Sequence, residues 1–314
     1  MIVSASRRTD IPTYYSDWFY NRIKEGFVLV RNPMNIHQIG IITLSPKLID
    51  GIVFWTKNPT PMIGRLDELR DYTHYFQFTL NAYGKDVEPG VPSKNDIVIP
   101  SFRKLSKILG KDKVIWRYDP ILFTEKYTTE YHLKYFEVLA LKLANYTEKC
   151  TISFLDFYKN TKRNIQPLNI ITPTIDQKTE LMQRCSEISK EYGIYVDTCA
   201  EDIDLNRFGI GHAACIDRGR FEHLGGYKLT VEKDTSQRVE CCCISSIDIG
   251  AYNTCKNGCL YCYANYSFKT VKRNHASHDP ESPLLFGRVA EGDLVKVRNI
   301  ESCRDYQLRF LRLV

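Results

Sequence analysis

Short β-branched or aromatic runs alternate with longer helical patterns along most of the chain. The runs are Ile2–Ala5, Ile52–Trp55, Tyr75–Leu80, Val114–Trp116, Thr151–Leu155, Ile194–Val196 and Ile244–Ile249. Their near-continuous apolar character is that of strands buried on both faces. Between them apolar residues recur at three- and four-residue spacing. From Ser101 to Leu109 the stripe of Phe102, Leu105, Ile108 and Leu109 predicts a helix capped by Ser101 and stopped by Gly110. Thr129–Tyr146 places Leu133, Phe136, Leu139, Ala140 and Leu143 on one face. Thr174–Tyr192 does the same with Leu181, Met182, Cys185 and Ile188 before Gly193. Strand–helix alternation predicts an α/β fold with a parallel sheet under helices, a full or partial (β/α) barrel.

Two segments break the rhythm. Val28–Val30 and Ile39–Leu44 flank Asn32-Pro-Met-Asn35 and predict an insertion at 27–45, a hairpin or else an irregular loop. Residues 201–240 carry several glycines and little periodicity, and read as a long excursion. The organisation expected is a single domain over 1–314, with a cysteine-rich cluster region at 199–265.

The polar residues that follow the runs narrow the picture. In chain order they include Arg7, Arg8 and Asp10, then Lys57 and Asn58, Asn81, Arg117 and Asp119, Asp156, and Glu201. The carboxyl ends of barrel strands form one rim, where active sites sit. For any one of these residues, loop polarity or helix capping is an equal alternative; together they favour the rim. Lys57, Arg117 and Asp119 are the candidate catalytic residues, although Arg117 and Asp119 could simply pair with each other.

Composition is that of an ordinary globular chain, 43% hydrophobic and 25% charged. No signal-peptide run opens it, and no stretch approaches the roughly 18 apolar residues of a membrane helix. A cytoplasmic protein without a membrane partner is expected. The net charge of +6 is dispersed among acids and reads as a solvated face more than a nucleic-acid footprint. Most of the 20 tyrosines and 15 phenylalanines are expected in the core, with a few left to stack on a flat ligand.

The eleven cysteines change the argument. None precedes Cys150, whereas six fall between Cys241 and Cys262. In a reducing compartment such crowding points to metal or catalytic use instead of disulfides. Cys255-Lys-Asn-Gly-Cys259-Leu-Tyr-Cys262 brings three thiols together in a tight loop, with Gly258 easing the turn. Three cysteines on a four-iron cubane leave one iron open for chemistry; zinc with a fourth ligand is the alternative.

This spacing, with Tyr261 before the third cysteine, resembles the signature loop of the radical S-adenosylmethionine (SAM) enzymes. Cys-x-Tyr-Cys-Tyr-Ala is also similar to the spore photoproduct lyase branch. The longer string Asp248-Ile-Gly-Ala-Tyr-Asn-Thr-Cys255, continuing to Asn265, resembles an uncharacterised bacterial family, domain of unknown function 1848, over nearly the whole chain. The resemblance implies a 4Fe–4S cluster on Cys255, Cys259 and Cys262. SAM would bind the open iron and be cleaved reductively, and the resulting radical would abstract hydrogen from a substrate. Arg7, Arg8, Tyr261 and Asn265 are the positions it suggests for cofactor binding, and a flavodoxin or ferredoxin would donate electrons. The loop lies near the carboxyl end instead of after the first strand, which implies a permuted barrel with Ile244–Ile249 as the cluster strand beside Ile2–Ala5. No Gly-Gly-Glu motif stands where the SAM amine would be gripped.

A second set comprises Cys199, Cys215, Cys241 and Cys243. Residues two apart in extended chain share a face, so Cys241 and Cys243 can serve one site while Cys242 turns away. Four thiolates would close a second 4Fe–4S cluster or a zinc site. The competing function is a non-catalytic iron–sulfur or zinc protein of electron transfer or nucleic-acid binding. The substrate class, whether small molecule, peptide or nucleic acid, stays open.

Overall fold

The computed structural model describes residues 1–306; positions 307–314, which the single-domain expectation includes, lie outside the described residues. The strands among them are β1 (Ile2–Ala5), β2 (Phe27–Asn32), β3 (Asn35–Thr43), β4 (Gly51–Thr56), β5 (His74–Thr79), β6 (Val114–Ile121), β7 (Lys149–Phe154), β8 (Tyr195–Thr198), β9 (Gly211–His212), β10 (Ile247–Asp248) and β11 (Leu294–Val297). Eight form one sheet in the order β10-β1-β4-β5-β6-β7-β8-β9, and each pairing is parallel. Helices follow the strands in the α/β manner, the longest being Ile99–Leu109, Thr129–Leu143 and Ile175–Glu191. The short edges β9 and β10 do not pair with each other in this ladder. Just outside them, the Ile244 amide donates to the Ile216 carbonyl at 3.1 Å. No helix among the described residues is long and apolar enough to cross a membrane.

The period of two along each strand builds the site. One set of alternating residues, among them Val3, Ile52, Phe54, Phe76, Phe78, Trp116 and Ile152, packs with helix residues Phe19, Phe102, Phe136 and Leu139. The other set begins apolar, with Ile2, Val53, Tyr75 and Ile115 packed on Ile216, Phe221 and Ile244. Gly51 is required there, since a Cβ would stand 2.1 Å from the Phe221 ring. Two and four residues further on, the same face turns polar: Ser6, Trp55, Lys57, Thr79, Arg117, Asp119 and Ser153 line a cavity at the carboxyl ends.

Several boundaries differ from the sequence expectation. Ser101 is not an N-cap. Pro100 fits the first turn of a helix that begins at Ile99, and the Ser101 hydroxyl bonds back to the Val98 carbonyl at 2.8 Å. Thr174 does cap its helix, in a reciprocal box with Gln177. β6 runs on to Ile121 past Pro120, which lacks an amide for the ladder, and the register shifts there. The cluster strand shrinks to Ile247–Asp248. The excursion at 201–240 contains β9 and a helix, Arg218–Gly225, capped by Asp217. At 27–43, β2 and β3 pair antiparallel, and β11 adds to β3 to make a second, three-stranded sheet.

Candidate functional site

The cavity at the carboxyl ends of the strands measures about 750 Å³. The polar ends of β1, β4, β6 and β7 meet there with both cysteine sets: Cys255, Cys259 and Cys262, and Cys199, Cys215, Cys241 and Cys243. Cys242 is exposed and lies elsewhere. Arg7, Arg8, Lys57, Arg117, Asp119, Tyr261 and Asn265 line the same cavity, as do Asp10 and Asp156. Three rim residues do not. Asn58 accepts from Thr60 at the start of the next helix. Asn81 bonds both backbone groups of Asp119 and so ties β5 to β6. Glu201 accepts from the Phe154 amide at 2.8 Å.

Amide side chains shape the three-cysteine loop. Asn253 Oδ1 accepts from the Tyr266 amide at 2.5 Å, and Asn274 holds the Asn253 carbonyl. Asn265 Nδ2 donates to the Cys255 carbonyl at 2.8 Å, so this candidate cofactor residue is also a strut of the loop. Asn257 joins the loop to the segment that follows β1: it accepts from the Tyr14 hydroxyl and donates to Asp10. Asp10 also accepts from the Lys57 amide at 2.8 Å and caps Thr13, which makes it a hub of the fold. On the far side, Gly90 donates to the Asn257 carbonyl at 2.9 Å and Leu260 donates to Val87. With its backbone bonded this way, the loop can present its thiols to the cavity.

Asp248 organises the turn after β1. It accepts from Ser4, from Ser6, from the Arg7 amide at 2.9 Å and from the Gly250 amide at 3.0 Å. The two arginines of that turn diverge. Arg7 lies over the Trp55 ring, 5.5 Å from its centroid, on the side of Cys215 and Cys243. Arg8 lies over Tyr252, which stacks on Tyr266 beside the cysteine loop.

Lys57 meets a partner that the sequence did not suggest. Buried Glu88 accepts from Lys57 Nζ at 2.8 Å, pairs with Lys94 at 2.7 Å and accepts from the Tyr261 hydroxyl. Burial pushes the Glu88 carboxyl up, but Lys57 and Lys94 outweigh it and hold it at about 2. Lys57 also lies over the Tyr261 ring, 5.4 Å from its centroid. Burial raises all three loop thiols, Cys259 to about 12, while Lys57 pulls Cys259 and Cys262 the other way. Lys57 is thus a cation in place for the charge that thiolates and a cluster would carry. Only an Asp-Val-Glu-Pro-Gly turn marks Glu88 in the sequence, and nothing local distinguishes it from a solvated loop acid.

Arg117 is fully engaged. Nε and Nη2 grip Asp119, and Nη1 donates to Cys215 Sγ at 2.8 Å. Asp119 also accepts from Ser153. In the second set, Cys199 and Cys215 sulfurs are 3.2 Å apart. Cys243 Sγ accepts from the Ile216 amide at 3.4 Å, and Cys241 lines the same cavity. Donation from Cys199 and Cys243, helped by Arg117, holds the Cys215 thiol well below its ordinary value.

As placed, no three His, Cys, Asp or Glu side chains among the described residues surround a single metal ion. Neither cysteine set is therefore a preformed one-ion site, which has no bearing on a cubane. Thiolates on a cubane each take a different iron, so their sulfurs stand apart instead of crowding one point. The loop offers three mutually influencing thiols to the cavity, with Lys57 beside them.

The fold and site define an α/β protein with a cysteine-lined cavity at the carboxyl edge of a parallel sheet. The chain belongs to the family described as a domain of unknown function (DUF1848), whose model matches residues 2–264 and so includes the whole three-cysteine loop. No curated protein matches the chain, and neither does any solved structure.

Proposed function

We propose that this protein is a radical SAM enzyme whose 4Fe–4S cluster is held by Cys255, Cys259 and Cys262. The observation that carries the reading is that this loop opens on the same cavity as the charged ends of four parallel strands. A bound, reduced cluster with one open iron would supply the electron that splits SAM into methionine and a hydrogen-abstracting 5′-deoxyadenosyl radical. The sheet is read as a permuted barrel, with β10 as the cluster strand and β1 beside it, in keeping with their parallel pairing.

The chain's own residues orient and insulate. Asn253, Asn257 and Asn265 fix the loop, and the Lys57–Glu88 pair places a positive charge near Cys259. Arg8, at the mouth beside Tyr252 and Tyr266 and without a carboxylate pair among the described residues, suits a SAM carboxylate, whereas Arg7 belongs to the second cysteine set. Arg117 and Asp119 are locked to each other, which favours a positioning role over direct proton transfer. A non-catalytic carrier would have no use for a 750 Å³ cavity. Electrons would come from a flavodoxin- or ferredoxin-like donor, and the substrate is a molecule small enough, or with a part small enough, to enter. The test is metal analysis: anaerobically purified protein should carry about four irons with matching sulfide at the loop, and the Cys255→Ala, Cys259→Ala, Cys262→Ala triple variant should lose them. Stoichiometric zinc without sulfide at the loop would refute the reading.

A further inference from the structure

Cys199, Cys215, Cys241 and Cys243 lie outside the three-cysteine loop and have no part in the chemistry above. We infer that these four thiolates form a second, closed metal site that takes one tetrahedral ion of the zinc class and ties together the two free edges of the sheet.

Distance selects a single ion. Zinc–sulfur bonds of about 2.3 Å put tetrahedral sulfurs about 3.8 Å apart. The Cys199–Cys215 separation is 3.2 Å, and Cys243 Sγ accepts at 3.4 Å from the amide of Ile216, the residue after Cys215. A cubane would hold the sulfurs further apart. As placed, no three of the four surround one point among the described residues. Closing on an ion requires rotamer changes within the four side chains.

Charge agrees with distance. Four thiolates around a dication leave a doubly negative centre, and two guanidiniums face it. Arg117 Nη1 is already 2.8 Å from Cys215 Sγ. Arg7 pairs loosely with Asp234 through Nη1 at 4.0 Å, while its Nη2 is buried with no hydrogen-bond partner among the described residues, on the side of Cys243 and Cys215. An orphaned buried N–H of this kind is costly unless an acceptor comes to it.

Topology supplies the role. Cys199 follows β8, Cys215 follows β9, and Cys241 and Cys243 precede β10. The unpaired edges of the ladder, β9 and β10, are bridged at this point by the Ile244–Ile216 hydrogen bond and by the Ile216 amide donating to Cys243 Sγ at 3.4 Å. An ion here would join them, as closed four-thiolate sites join chain segments elsewhere.

The test is metal content of the intact chain purified anaerobically, with and without the double substitution Cys215→Ser and Cys243→Ser, and with Cys242→Ser as control. Wild type should hold about one zinc per chain beyond the loop's iron. The double variant should lose that zinc and keep iron and sulfide, Cys242→Ser should keep both, and the loop triple variant should keep zinc while losing iron. Because the double variant could fail to fold, wild type grown on cobalt provides a second readout, the sulfur-to-cobalt charge-transfer bands of a tetrahedral thiolate site. Wild type lacking both the zinc and those bands overturns the inference. So does a doubled iron and sulfide content, a Cys199–Cys215 disulfide found in metal-free protein, or zinc retained by a soluble double variant. Loss of zinc only in the loop variant would instead place the ion at the loop.

Discussion

The guanidinium of Arg117 donates to the sulfur of Cys215 at 2.8 Å while its other edge grips Asp119. One side chain from the middle of β6 therefore joins the charged rim to the second cysteine set. It is buried, so removing it strands both partners. Arg117→Ala should cost about 3–5 kcal/mol, the range for breaking a buried pair from one side. Urea unfolding checks this. Arg117→Lys should recover little, because one ammonium cannot serve Asp119 bidentately and Cys215 as well. A change within about 0.5 kcal/mol for the alanine variant would show the pair to be dispensable.

Gly90 lies where the chain passes the cysteine loop. A Cβ there would stand 2.5 Å from the Lys256 carbonyl and 2.7 Å from that of Asn257, both backbone atoms that cannot swing aside. Gly90→Ala should displace the loop, lower iron retention and destabilise the fold by about 1–3 kcal/mol. Gly64→Ala, with nothing within 4 Å of the new methyl, is the matched control and should be near neutral. Equal iron content in the two variants would show that the close approach does not set the loop's position.

Acid should weaken the fold well away from the cavity. Burial draws the imidazoles of His74 and His132 down to about 4. Unfolded, each titrates near 6.5, so between about pH 6.5 and 4 the unfolded chain binds more protons. Stability is then full above about pH 6.5 and falls as pH drops through that window, by up to about 3 kcal/mol for each histidine. Glu88, held at about 2, titrates below it. Glu201, drawn up to about 7 by burial, works in the opposite sense over the same window. The histidine contribution is therefore read as the difference in slope, across unfolding free energies measured at several pH values, between wild type and the His74→Gln, His132→Gln variant. An unchanged slope would mean that neither histidine is held neutral by the fold.

How much of this was legible in the sequence depended on where each signal's partners lie. Runs such as Ile52–Trp55 and Val114–Trp116 announced buried parallel strands because packing on both faces demands apolar residues on both. The helix at Arg218–Gly225 escaped because Phe221 is its only buried apolar side chain, too little to make a stripe. Ser101 misled because Pro100, one residue earlier, sets the helix start. The spacing of Cys255, Cys259 and Cys262 was readable because all three sit on one short loop. Glu88 was not, because Lys57, Lys94 and Tyr261 reach it from three distant parts of the chain, and only the tertiary fold turns a loop acid into a buried hub.

The most direct measurement is 5′-deoxyadenosine formed from SAM by the protein reconstituted anaerobically with iron and sulfide and then reduced. The account predicts that wild type forms it, that the Cys255→Ala, Cys259→Ala, Cys262→Ala variant does not, and that the Cys215→Ser, Cys243→Ser variant does so wherever it remains folded. A wild-type protein that carries the full cluster, binds SAM and forms no 5′-deoxyadenosine with or without candidate substrates would contradict it.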